Sequence, residues 1–112
     1  MQGENKLKIP TNSKTTHSMV EYYSVVYEKI QDAWKRHKFK KWDESLEALL
    51  VIEIDKNGEI IDSFFERKSK NDDFNVEVLK AVLLSKPLPK FPPDFKKEKL
   101  EIGLRFKPNK LY

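Results

Sequence analysis

The stretch Lys35-Arg36-His37-Lys38-Phe39-Lys40-Lys41-Trp42 interleaves a run of cations with two aromatic rings. Lysine and arginine neutralise phosphates while aromatic faces stack on bases, which is how single-stranded nucleic acid is held. The competing reading is a solvated helix end, with Phe39 and Trp42 packed beneath a sheet. The carboxylates of Asp72 and Asp73, and those of Asp62 and Glu66, are the other candidates for chemistry, as acid/base pairs. No nucleophile or partner histidine accompanies them, so solvated charge is the better account. His17 precedes a helix start and His37 sits among cations. With two histidines and no cysteine, zinc spacing cannot be assembled from those residue types. The only glycines are Gly3, Gly58 and Gly103, which leaves no phosphate-cradling loop. Asp55-Lys56-Asn57-Gly58 has its glycine too early for a calcium loop and lacks the acidic twelfth position. The expectation is a protein that is not an enzyme, with no catalytic residue, cofactor or metal.

Composition narrows the partners. Lys+Arg 22 against Asp+Glu 18 gives +4, with the signs interspersed, a weak argument for nucleic acid or an anionic membrane. At 112 residues, 38% hydrophobic and 36% charged, the chain suits one domain with a modest core. No apolar run approaches the ~20 residues that span a bilayer, and residues 1–17 are polar throughout. They read as a flexible lead-in to a soluble domain, or to a piece of something longer.

The elements follow from periodicity. Ser18-Met19-Val20-Glu21 reads as a capping box. Tyr23, Val26, Ile30 and Trp34 then recur at helical spacing, and the cations of 35–38 suit the negative end of the helix dipole. Leu46 to Ile54 alternates as a central strand. Asn57-Gly58 predicts a type I′ turn, after which residues 59–69 return as a second strand. That turn would align Ile54 with Ile61 and Leu50 with Phe65, and would oppose Glu53 to Asp62, which is unfavourable. Asn75 is expected to cap a second helix reaching about Lys86, with Phe74 and Leu79 as a hydrophobic staple. Val78, Leu79, Val82 and Leu83 are its expected buried stripe.

Four of the six prolines lie between Pro87 and Pro93, in Ser85-Lys86-Pro87-Leu88-Pro89-Lys90-Phe91-Pro92-Pro93. Proline rules out helix interior and central strand there. Pro89 to Pro92 forms a PxxP of the kind SH3-type domains read. A stiff spacer that crosses about 10 Å between strands is the stronger reading, with Leu88 and Phe91 plugging the core.

In the last strand, Leu100, Ile102, Leu104 and Phe106 point inward, while Glu101, Gly103, Arg105 and Lys107 point outward. Charge protects a sheet edge from indiscriminate pairing. Glycine there packs nothing, so it marks either a bulge or a close approach by another backbone. Residues 99–107 are therefore expected to form an open edge that accepts a partner strand. Lys99, Glu101, Gly103, Arg105 and Lys107 are its site residues, with Arg105 and Lys107 selecting acidic segments. The expected fold is α+β, a three-stranded antiparallel sheet with two helices on one face, in the order α-β-β-α-β. Tyr23, Ile30, Trp34, Leu50, Ile52, Phe65, Leu79 and Leu104 are its expected core.

These motifs together resemble the C-terminal domain of the TonB and TolA family. The resemblance is carried by Tyr23, Val26, Ile30 and Trp34, by the hairpin from Leu46 to Ile61, by Phe74 to Val82, by Pro87 to Pro92 and by Leu100 to Pro108. It spans residues 18–108, leaving 1–17 as linker and 109–112 as a tail. The helix tryptophan and Pro-Leu-Pro connector look more like TolA-type than TonB-type members. Where many members carry Ser-Ser-Gly, this chain has Lys68-Ser69-Lys70-Asn71, which implies a differently shaped loop. The resemblance implies a non-catalytic periplasmic interaction domain of an inner-membrane-anchored energy transducer, the anchor lying outside this chain. It implies partners in the periplasm or outer membrane, of the TolB and Pal kind or the transporter kind, with colicins and filamentous phage proteins exploiting the same domain. The alternative is a small basic nucleic-acid-binding module that uses residues 35–42.

Overall fold

The computed structural model describes residues 17–36, 42–108 and 110–111. Along the chain these are α1 (His17–Arg36), β1 (Ala48–Asp55), β2 (Ile60–Arg67), α2 (Asp72–Leu84), β3 (Lys99–Lys107) and the short β4 (Lys110–Leu111). The protein is α+β, with β2-β1-β3 as a three-stranded antiparallel sheet in the order α-β-β-α-β. β4, within the segment read as a tail, adds two residues beside the end of β3.

Alternation makes the core one-sided. Ala48, Leu50, Ile52 and Ile54 of β1, with Ile102, Leu104 and Phe106 of β3, are buried on the face that meets the helices. From α1, Met19, Tyr22, Tyr23, Val26, Ile30, Ala33 and Trp34 fill that space at intervals of three and four. Trp34 joins three elements. Its ring stands edge-on to Phe74 of α2 and Phe106 of β3, and its Nε1 donates to the Lys107 carbonyl at 2.8 Å.

Several local expectations need correction. α1 already runs from His17, so Ser18 lies within it and not at its cap; the Ser18 hydroxyl donates to the Asp94 carboxylate at 2.7 Å. No residue other than glycine has positive φ among the described residues, which excludes a type I′ turn at Asn57-Gly58. The loop is instead three residues long. Gly58 N–H donates to Asp55 O, Asp55 N–H donates to Glu59 O, and Gly58 alone is left-handed at φ 86°. Ile54 therefore meets Ile60, not Ile61, although Leu50 still meets Phe65 and Glu53 still meets Asp62.

Asn71, not Asn75, caps α2, its side-chain oxygen accepting from Phe74 N–H at 3.1 Å. Asn75 is buried and holds the preceding loop: its Oδ1 accepts from Ser69 N–H at 2.9 Å, and its Nδ2 donates to Ser69 O at 3.2 Å. Leu79, expected in the core, is 37% exposed, and Leu83 is 62% exposed. Phe74, Val78, Ala81 and Val82 form the stripe that faces inward. Apolar residues surround this helix, and Phe74, whose ring meets Trp34 of α1, lies on the side that turns inward.

The proline connector is fastened to the fold at both ends of its apolar part. Leu88 is buried, Tyr22 Oη donates to Pro89 O at 2.8 Å, and Phe91 N–H donates to Lys56 O at 3.0 Å. Phe91 stands edge-on to Tyr22 and to Phe95. Burial, and then the nearby Asp55 carboxylate, push the Tyr22 phenol up to about 12.

Candidate partner-binding edge

Backbone alternation decides what β3 offers. Asp55 N–H points toward the β2 side, so Glu53, Val51 and Leu49 do the same, and the residues between them turn to β3. Ile54, Ile52, Leu50 and Ala48 lie opposite Leu100, Ile102, Leu104 and Phe106. Those four β3 residues use their backbone groups on β1. Lys99, Glu101, Gly103 and Arg105 thus direct theirs away from the sheet, and among the described residues no strand pairs with them there. Lys107 differs: it pairs with Lys110 of β4, and its carbonyl also takes the Trp34 indole. The open edge is 99–105, so the expectation of 99–107 is corrected at its last positions.

Gly103 sits within an unbroken register, opposite Val51, so it marks no bulge. A Cβ built on it meets nothing within 4 Å, and its φ lies outside the left-handed region. Nothing in the described chain demands a glycine here. Gly58 is the opposite case, because its Cβ would lie 2.3 Å from Leu88 O.

The solvent face of the sheet carries three rows across the strands. Asp62, Glu53 and Glu101 lie side by side, a row of three carboxylates. Phe64, Val51 and Gly103 form the next, and Arg67, Leu49 and Arg105 the one after, across the second register shift. Arg105 Nε lies 3.1 Å from Glu47 Oε2, so one face of this cation is already paired. The part played by Glu101 in the acidic row was missed in the sequence. The opposition of Glu53 and Asp62 was legible there, but placing Glu101 required knowing that β3 lies beside β1.

Beside the other edge, Ile61, Ser63, Leu79, Leu83 and Lys86 line an open groove of about 390 Å³ between β2 and α2. Of the basic stretch, Lys35 and Arg36 are exposed at the end of α1, and residues 37–41 lie outside the described residues. Trp42 is half-buried, edge-on to Phe74 at 5.4 Å, so its ring packs on the core.

The fold is that of a small α+β domain whose sheet is covered on one face and whose strand β3 keeps a regular edge from Lys99 to Arg105. The sequence profile described as TonB C terminal matches residues 19–106, and the chain belongs to that family. Domains of this family are periplasmic, non-catalytic interaction modules of energy transducers that engage outer-membrane proteins. Comparison with curated proteins and with solved structures returns no match. No described helix is long and apolar enough to cross a membrane.

Proposed function

We propose that this domain links an inner-membrane, proton-driven complex to periplasmic or outer-membrane proteins by accepting a partner strand along residues 99–105. The observation that carries the reading is the backbone of Lys99, Glu101, Gly103 and Arg105, which faces outward in an uninterrupted register. Such an edge supplies affinity through main-chain hydrogen bonds, and side chains alternate to supply selectivity. Trp34 and the Pro87-Leu88-Pro89 connector favour a TolA-type role, with partners of the TolB and Pal kind. Arg105, together with Lys99, gives the edge cations for an acidic segment.

The test is an amide-shift titration with a peptide from such a partner. Shifts are expected at 99–105. Glu101→Pro removes an outward N–H at an exposed position and should abolish binding while the domain stays folded. Shifts confined to the proline connector or to the end of α1 would overturn the reading.

A further inference from the structure

The rows that cross the sheet specify the strand that would extend it. Resting on the strand-addition reading, we propose that the partner strand runs antiparallel to β3 and places an aromatic ring over Gly103. Two residues before that ring it carries an acid facing Arg105, and two residues after it a base facing Glu101. The partner segment is thus acid-x-aromatic-x-base.

Each part has its own cause. Directly opposed like charges destabilise a sheet, yet Asp62, Glu53 and Glu101 stand in one row. A cation in the fourth place of that row offsets repulsion that the free domain carries unrelieved by the strands themselves. In the middle row Phe64 is 48% exposed and Val51 half-buried, and the row then ends at Gly103 with open space above it. An aromatic ring on the adjacent strand folds over a glycine and reaches the apolar residue beyond, here Val51. In the third row, Glu47 meets Arg105 through Nε. A guanidinium has five donors, so an acid on the partner has donors left to meet.

Direction follows from the sheet and from β4. Every pairing here is antiparallel, and antiparallel pairing is slightly the more stable per residue. Because Glu101, Gly103 and Arg105 turn their backbone outward, each would exchange both hydrogen bonds with the residue opposite, which fixes the rows in register. β4 occupies the edge from Phe106 onward, so the partner begins beside Arg105 and runs toward Lys99.

Short blocked peptides test this directly. One has Asp-Thr-Phe-Thr-Lys at its centre, a second exchanges the Asp and Lys, and a third replaces Phe by Ala. Each is titrated into isotope-labelled domain, with Kd and the position of amide shifts as readouts. Cross-strand pairs of this kind change affinity by about 1.5- to 5-fold each. The first peptide should therefore bind about tenfold tighter than the second and about threefold tighter than the third, the charge preference shrinking as salt is raised. In Glu101→Lys the charge preference should vanish, since each peptide then meets one opposite and one like charge, and in Glu101→Lys combined with Arg105→Glu it should reverse; the single variant alters only an exposed residue and keeps the test valid if the double variant unfolds, a preference that persists in it overturning the rule. If all three peptides shift residues 99–105 with equal affinity, strand addition stands and the selection rule is overturned. If the charge-exchanged peptide binds the unmodified domain more tightly, the antiparallel register is overturned. If no peptide shifts 99–105, strand addition itself fails, and the rule falls with it.

Discussion

Along β2 the register with β1 slips twice, leaving Ile61 and Glu66 unpaired, whereas β3 pairs with the other side of the same strand without a break from Lys99 to Phe106. Both are antiparallel neighbours of one central strand, so the contrast arises in their own sequences and in the loops that deliver them. The three-residue loop with its left-handed Gly58 delivers β2 one residue out of step, and the first bulge absorbs the offset. Bulges bend and twist an edge, which makes it a poor template for another strand. β3 enters from a connector pinned at Leu88, Pro89 and Phe91 and keeps a regular edge. Its inner residues Ile102, Leu104 and Phe106 are buried, while on β2 Phe65 is only partly so. One neighbour of the central strand is irregular; the other is regular and backed by the core.

The largest expected effect tests that backing. Trp34→Ala removes a ring that touches Phe74 and Phe106 and an indole hydrogen bond to Lys107, and should cost about 3–5 kcal/mol in chemical denaturation. Phe65→Ala, on the weaker side, should cost about 1–2 kcal/mol, because less of its area leaves water. Equal losses would break the comparison. Gly58→Ala comes next. The left-handed conformation costs a residue with Cβ about 1–2 kcal/mol, and the collision with Leu88 O adds to it, since a backbone atom has to move. A loss well below 1 kcal/mol would mean that the connector does not hold the turn in place.

A smaller effect concerns the connector and appears at high pH. The Tyr22 phenol is raised in the fold from 10.0 to about 12 by burial and by Asp55. A raised folded value means that its stabilisation is complete below pH 10 and is lost as pH rises toward 12. Burial raises Tyr23 in the same direction, so its ionisation also costs stability at alkaline pH. Tyr22→Phe should lose about 1 kcal/mol at neutral pH with the hydrogen bond to Pro89, and should then decline less steeply across alkaline pH. Urea unfolding at a series of pH values checks both parts; an unchanged alkaline slope in Tyr22→Phe would remove Tyr22 as its cause.

What could be read in the sequence follows the same divide. The alternation of β1 and β3 is long and clean, so their inner faces and the charged outer face of β3 were visible at once. The bulge at Ile61 was not, because Asn57-Gly58 suits either a two-residue turn or a three-residue loop, and the choice depends on φ at Asn57. The cap of α2 was misplaced because two asparagines lie one turn apart; Asp72 and Asp73, acids suited to the positive helix end, were the clue favouring Asn71. Leu79 and Leu83 were misassigned because Val76, Leu79, Leu83 and Leu84 surround the helix with apolar residues that no period can sort. Of the candidate edge, its outward residues were legible. Its end at Arg105 was not, since only the fold brings Lys110 and Trp34 to Lys107.

The smallest prediction has the opposite sign. Val51 is flanked in register by Phe64 on β2 and by Gly103 on β3, so one row ends in a large ring on the irregular side and in no side chain on the regular one. Glycine inside a strand gives up side-chain packing and costs chain entropy on folding. With ordinary φ and no atom within 4 Å of an added Cβ, Gly103→Val should stabilise the free domain by about 0.5–1 kcal/mol, through β-propensity and contact with Val51. A thermal midpoint a few degrees higher is the expected reading. A lower midpoint would mean that the space above Gly103 is occupied in the free protein, and the edge would then be less open than its register implies. A higher one would mean that folding is better served without this glycine. The missing side chain would then make sense only through what approaches that edge from outside.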